Sequence, residues 1–199
     1  MTDGESNALA GWPVAFEGVV ESVVTTLGPN GRWNVAALGL HAPDADGPAT
    51  ARTWGRTRTW RNFRDRGEGY VQFTRDPVDF VEAACSVREA DDPVLPSADA
   101  WAHVTVDSVD SGEDGGTTWE EWALSPVESG IERRVVPVTN RAHGAVVEAT
   151  VAASRLDVPR YDSEELRERI RFFGEVVERC GGARHRAAWE RFEELVDWR

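Results

Sequence analysis

Between Arg52 and Arg75 the chain reads RTWGRTRTWRNFRDRGEGYVQFTR, and the chemistry open to these residue types is anion binding. Seven arginines (52, 56, 58, 61, 64, 66 and 75) stand against two acids, Asp65 and Glu68, so the stretch carries +5. The whole chain carries −13, which leaves −18 for the remainder. Gly55 and two hydroxyls, Thr57 and Thr59, lie just ahead of WRNFR, which has the pattern of a short helix. Hydroxyls, free backbone N–H groups and a helix N-terminus together make an anion site, with a phosphate as its natural occupant. Arg52 and Arg56 are taken as its candidate arginines. The competing reading is an Arg-rich helix face that balances acidic neighbours. Two weaker polar clusters accompany the island. Asn34 precedes Ala36 and Ala37 on a candidate strand, where small side chains let a flat ring approach the backbone or simply pack. Asn140-Arg141 opens a candidate helix, either as a cap with an exposed cation or as a further polar contact.

Other chemistries find no support. The four histidines (41, 103, 143 and 185) show no HxxxH or HxH spacing, so no metal site is expected. GxSxG, GxGxxG and GxxxxGK[ST] are all absent, which removes a nucleophile elbow, a dinucleotide fingerprint and a P-loop. Glu120-Glu121 falls on a candidate strand, where adjacent carboxylates point to opposite faces and cannot act as a dyad. Trp101, Trp119 and Trp122 are read as core or interface, with ligand stacking as the alternative. No residue stands out as a catalytic acid or base.

Composition sets the frame for these groups. With 199 residues, 41% hydrophobic content and nine Trp, the chain can fill a core. No run of about 18 apolar residues occurs, so no membrane span is expected. The N-terminal stretch has no basic or apolar signal region, and Cys85 and Cys180 are isolated, which together suit a cytoplasmic protein. All 22 basic residues are Arg. An acidic, lysine-free chain resembles cytoplasmic proteins of extreme halophiles, whose self-repulsion molar salt screens. The same acidity argues against nucleic-acid binding.

The elements that must position the island follow from periodicity and turn signals. Residues 1–13 form a loose tail. Strands are expected over 17–26 and 33–40, joined by Gly28-Pro29-Asn30-Gly31 as a hairpin, and over 49–54. PDADGP (43–48) is a loop. Another strand is expected over 69–75. Asp76-Pro77 starts a helix whose buried stripe is Phe80, Val81, Ala84 and Val87. Residues 89–100 form the longest loop. Residues 101–109 and 117–124 alternate as a strand pair around SGEDGG, and 131–136 ends the set as a last strand. After Pro137 the pattern is helical: Asn140–Leu156, then a helix opened by Asp162 with Glu165 in capping-box spacing and stopped by Gly181-Gly182, then a helix carrying Ala188, Phe192 and Leu195. The chain is therefore divided into a β-rich domain, 14–136, and a helical domain, 137–199.

On four stretches the sequence resembles a known family. They are VVESVVTTLGPNGRWNVAALGL, Thr59-Trp60-Arg61-Asn62-Phe63, GYVQFTRDPVDFVEAA, and NRAHGAVVEATVAASRL with the helix ending ERCGG. The family is the archaeal FMN-binding split-barrel proteins known as domain of unknown function four-four-seven, distant relatives of flavin reductases and pyridoxamine-phosphate-oxidase-like proteins. The resemblance implies an α+β fold: a six-stranded antiparallel split β-barrel of FMN-binding type with a C-terminal three-helix unit. It implies FMN held near a homodimer boundary, with Thr57, Thr59 and Asn62 at the phosphate and an arginine of the island, such as Arg52 or Arg56, assisting. Thr25, Thr26, Asn34 and Ala36 would border the ring or ribityl chain, and Asn140 and Arg141 are further candidates. Trp60 departs from the family's usual Tyr, and Ala37 from a frequent Pro. The function expected is that of an FMN-dependent oxidoreductase, with NAD(P)H or another small redox substrate as partner. The alternatives are a non-catalytic flavin carrier or sensor that docks a protein, and a barrel that binds no flavin.

Overall fold

The computed structural model describes residues 11–43 and 47–199. Most of the expected tail and the centre of the PDADGP loop lie outside them. The strands are β1 Val19–Leu27, β2 Trp33–His41, β3 Ala49–Trp54, β4 Glu68–Thr74, β5 Arg88–Ala90, β6 Ala98–Asp114 and β7 Thr117–Ile131. The helices are α1 Arg58–Arg66, α2 Pro77–Cys85, α3 Arg141–Ala153, α4 Ser163–Cys180 and α5 Ala183–Leu195. The fold is α+β. Strand order β1-β4-β6-β7-β3-β2 returns to β1 through the β1–β2 hairpin, so six antiparallel strands close a barrel and β5 adds an extra strand beside β2.

Contacts divide the chain into two compact units, 1–75 with 89–134, and 76–88 with 135–199. In the barrel unit, alternation directs Val24, Leu40, Ala51, Val71, Val104 and Trp122 into one core, with α1 contributing Phe63. The long β6–β7 ribbon shifts register between His103 and Val104 and between Ser108 and Asp110, and such bulges bend strands enough to close a barrel. Pro126, which has no N–H for a ladder, pairs with Val104 at the first of these shifts.

The second unit packs α2, α3, α4 and α5 around Val81, Val146, Ile170, Val177 and Phe192. Its helices start as the sequence predicts. Asp76, Asn140 and Asp162 accept hydrogen bonds from first-turn N–H groups, and Pro77 occupies the first turn of α2.

Three expectations are corrected. Ile131 is the last residue of β7, and 132–139 forms no strand, because β7 runs on past Pro126 through the bulge instead of stopping at Leu124. The 89–100 stretch is not one loop: β5 and the start of β6 take its ends. In α2 the buried alanine is Ala83 rather than Ala84, and Val87 lies past the helix and is exposed.

Candidate functional site

The turn into α1 is built by Gly55, whose φ of +70° lies in the left-handed region that side chains disfavour. Thr57 then caps the helix: its hydroxyl accepts a hydrogen bond from the Trp60 N–H at 3.1 Å. The N–H groups of Arg58 and Thr59, also in the first turn, have no intrahelical acceptor, and the helix dipole adds positive potential there.

Behind this turn four polar side chains converge. Thr26 on β1 and Asn34 on β2 are cross-strand partners. Asn34 Nδ2 donates to Thr59 Oγ1 at 3.3 Å, and Asn62 Nδ2 donates to Thr26 Oγ1 at 2.9 Å and to the Thr26 carbonyl at 3.3 Å. All four are buried, so strands and helix are cross-linked by hydrogen bonds shielded from water. Ala36 lies two residues beyond Asn34 on the same strand face and packs against the barrel core.

Thr25 does not join this group. Adjacent strand residues face opposite sides, and the Thr25 hydroxyl donates to the Pro93 carbonyl and accepts from Gln72 Nε2 at 3.2 Å. Gln72, fully buried, also donates to the Pro93 carbonyl and accepts from the Leu95 N–H, pinning the 93–95 segment over β1 and β4.

The arginine island divides. Arg52 pairs with Glu121 at 3.2 Å and stacks 4.0 Å above Trp119. Arg58 pairs with Glu89, Arg75 with Asp99, and Arg64 approaches Glu120 at 3.7 Å. Arg56, Arg61 and Arg66 have no carboxylate partner among the described residues. Charge balancing thus accounts for part of the island, and Arg56, beside the α1 N-terminus, is left as an available cation.

Asn140 and Arg141 belong to the helical unit. Asn140 Oδ1 caps α3 through the Ala142 N–H at 2.9 Å, and Arg141 Nη2 lies 3.0 Å from Cys180 Sγ. Elsewhere on the barrel, Tyr70 stacks on His103 at 4.6 Å, and His103 Nε2 meets Glu68 at 3.1 Å. Burial, together with Glu128 and Glu68, raises the Tyr70 hydroxyl above its ordinary pKa. No group of three or more metal-ligating side chains occurs among the described residues. None of the described helices is long and apolar enough to cross a membrane.

Sequence reasoning weighed Glu120 only as half of a dyad and assigned it no place in the site. Its side chain is only 10% exposed, and Oε2 accepts from Trp60 Nε1 at 2.5 Å. The signal was available, because Glu120 is two residues before Trp122 and so shares its inward face. Glu120 and Glu121 do point apart, as their register with Thr53 and Arg52 requires.

A family of proteins of unknown function, DUF447, matches the chain in two parts, its N-terminal domain over residues 20–133 and its second domain over 140–194. Comparison with curated proteins found no match. Among solved structures, an FMN-bound DUF447 protein of Methanosarcina mazei is 24% identical, with 91% of this chain and 96% of that chain covered and a TM-score of 0.76. The styrene monooxygenase flavin reductase of Pseudomonas putida S12 is 17% identical over 64% of this chain and 81% of that chain, with a TM-score of 0.41. Nitrilotriacetate monooxygenase component B of Mycobacterium thermoresistibile is 18% identical over 65% and 73%, with a TM-score of 0.42. The first shares the fold; the other two are too distant to carry an argument.

Proposed function

The chain belongs to the DUF447 family, and on that premise we propose that it is an FMN-binding flavoprotein of flavin-reductase type. The observation that carries the reading is the turn at 55–59. There the capping hydroxyl of Thr57, the Thr59 side chain, two first-turn N–H groups and the unpaired Arg56 lie together at one helix N-terminus. This donor set fits a phosphate dianion, which needs several hydrogen-bond donors and positive potential.

In this reading the FMN phosphate rests on the start of α1. Asn34 orients the Thr59 hydroxyl, and Asn62, tied to Thr26, fixes the helix against β1 so that the donors keep their positions. Glu120 does the same from the other side by holding the Trp60 indole. Thr26, Asn34 and Ala36 border the remainder of the cofactor, Ala36 because a small side chain leaves room for a flat ring. Bound FMN supplies hydride or electron transfer, while the protein supplies orientation and electrostatics. The substrate class follows as a small redox partner, with a reduced nicotinamide nucleotide as donor.

The wider setting belongs to the same proposal: an archaeal, halophilic, cytoplasmic protein that works as a homodimer with Asn140 and Arg141 as additional site residues. A half-buried aromatic row on the outer barrel face supports the dimer, with Trp33, Tyr70 and Trp101 ring centroids 5.4 and 5.8 Å apart in sequence. Purified protein is expected to show flavin absorbance that bleaches when NADH or NADPH is added without oxygen. Protein that takes up no flavin would contradict the reading, and bound flavin that neither nucleotide reduces would favour a carrier. Light scattering tests the dimer, since a 22.0 kDa species that binds FMN tightly would rule it out.

A further inference from the structure

Beside α1 lies a cleft of about 500 Å³ that the flavin reading leaves unused, lined among others by Gly55, Arg56, Trp60, Arg64, Trp119 and Glu120. We propose that this cleft binds an adenosine phosphate, the adenylate half of a dinucleotide. The proposal rests on the flavin reading in one respect, that the neighbouring α1 N-terminus holds the flavin phosphate. Gly55 and Arg56 belong to both places, so the cleft begins where that phosphate site ends.

Three features select this ligand. The first is a stacking surface. Arg64 and Arg56 lie over the Trp60 ring at 5.1 and 5.8 Å, and layered guanidinium and indole planes are surfaces on which a nucleobase stacks. The second is charge. Arg56 has no carboxylate partner among the described residues, and the carboxylate contact of Arg64 is the 3.7 Å approach to Glu120. Two loosely held cations in a chain of net −13 suit a phosphate. The third is Glu120, whose Oε2 is taken by Trp60 Nε1 while Oε1 receives no hydrogen bond from the described residues. A carboxylate only accepts, so this oxygen, on a residue lining the cleft, suits an N–H donor such as the exocyclic amine of adenine. It also repels phosphate. The ligand's polarity is thereby fixed, with phosphate towards Arg56 and base towards Glu120.

An adenosine phosphate can come from a flavin dinucleotide or from a reduced nicotinamide dinucleotide, and titration calorimetry separates them. ADP alone is expected to bind wild-type protein, and UDP, which has no exocyclic amine, to bind more weakly. Arg64→Ser should weaken ADP about tenfold or more and leave FMN affinity unchanged. Ser111→Tyr, at an exposed cleft position, should block ADP by filling the space. FAD binding about tenfold tighter than FMN identifies the flavin dinucleotide as the source. Equal FAD and FMN affinities, with ADP competing against NADPH on FMN-loaded protein, identify the nicotinamide dinucleotide. No ADP binding, UDP binding as tightly as ADP, or ADP binding indifferent to both substitutions would overturn the proposal. ADP binding without FMN binding would instead overturn the flavin reading and leave this cleft standing.

Discussion

The barrel unit and the helical unit bury different things. Among the described residues, ten buried polar side chains lie in the barrel unit: Ser22, Thr25, Thr26, Asn34, Thr53, Thr59, Asn62, Gln72, Glu120 and Ser129. The helical unit buries one, Thr150, whose hydroxyl folds back onto the Val147 carbonyl of its own helix. Helical cohesion is apolar, with Ile170, Val177 and Phe192 at its centre. Buried polar groups must find partners or cost free energy, and an apolar core is the simpler route to stability. The barrel accepts that cost around α1, where its polar side chains cross between elements. Such local departures from simple packing are expected where a site is held in shape, and the helical unit shows none of comparable extent.

The largest effect is expected from the apolar side of this contrast. Phe192→Ala removes a fully buried ring and should cost the helical unit about 3–5 kcal/mol in denaturant unfolding. A cost below about 1 kcal/mol would mean that this core is not what holds the unit together.

The polar side predicts a different pattern. Asn62→Ala strands the Thr26 groups and should cost about 1–3 kcal/mol. Replacing both side chains, Thr26→Val with Asn62→Leu, should cost less than Asn62→Ala, because only the Thr26 carbonyl then loses a donor. Thr59→Ala with Asn62→Ala should weaken FMN by more than about tenfold, as should the apolar pair. Should the apolar pair both fold well and keep wild-type FMN affinity, the polar cluster has no binding role.

Acid separates the units through two carboxylates of the helical one. Burial alone would raise the pKa of Asp76, but Arg184 and the N–H groups of Asp79 and Val78 outweigh it and hold the carboxyl below its ordinary value. In Glu82, burial is likewise outweighed by Arg191 and Ser86. A depressed carboxylate pKa stabilises the fold fully above the unfolded value, about 4, and that contribution fades as pH falls through the folded value. Melting of the helical unit should therefore decline below about pH 4, and Asp76→Asn should flatten the decline. An unchanged slope in the variant would contradict this assignment.

The smallest effect concerns reactivity. Burial, with Glu82 nearby, pushes the Cys85 thiol up to about 12, so it should alkylate slowly at pH 8 and faster only as pH rises well above that. Rapid labelling at neutral pH would show the site to be more open than its geometry.

Legibility of the sequence divided along the same line. Elements governed by local signals were readable: the hairpin at Gly28–Gly31, the Asp76-Pro77 and Asp162 caps, and Thr57 ahead of WRNFR. Gly181 ends α4 as expected, but in extended backbone (φ −74°, ψ 137°) and not the left-handed form, and a Cβ there would come 2.5 Å from the Val177 carbonyl. What local pattern could not supply was pairing over distance. β7 outruns its alternation because a bulge absorbs Pro126, and α2 makes its contacts with α3 and α5, far along the chain. Within the site, Thr26, Asn34, Thr59 and Asn62 were identified one by one, whereas their mutual bonds needed the β1–β2 register. Glu120 was read as half of a failed dyad, although its partner, Trp60, lies sixty residues away.

The central claim is that the start of α1 holds a flavin's phosphate, and comparing FMN with riboflavin tests it most directly. The two differ only in that group. Fluorescence-quench titration should show FMN binding at least about a hundredfold more tightly than riboflavin, with Thr57→Ala narrowing the gap. Equal affinities for the two flavins, or a gap that Thr57→Ala leaves intact, would contradict it.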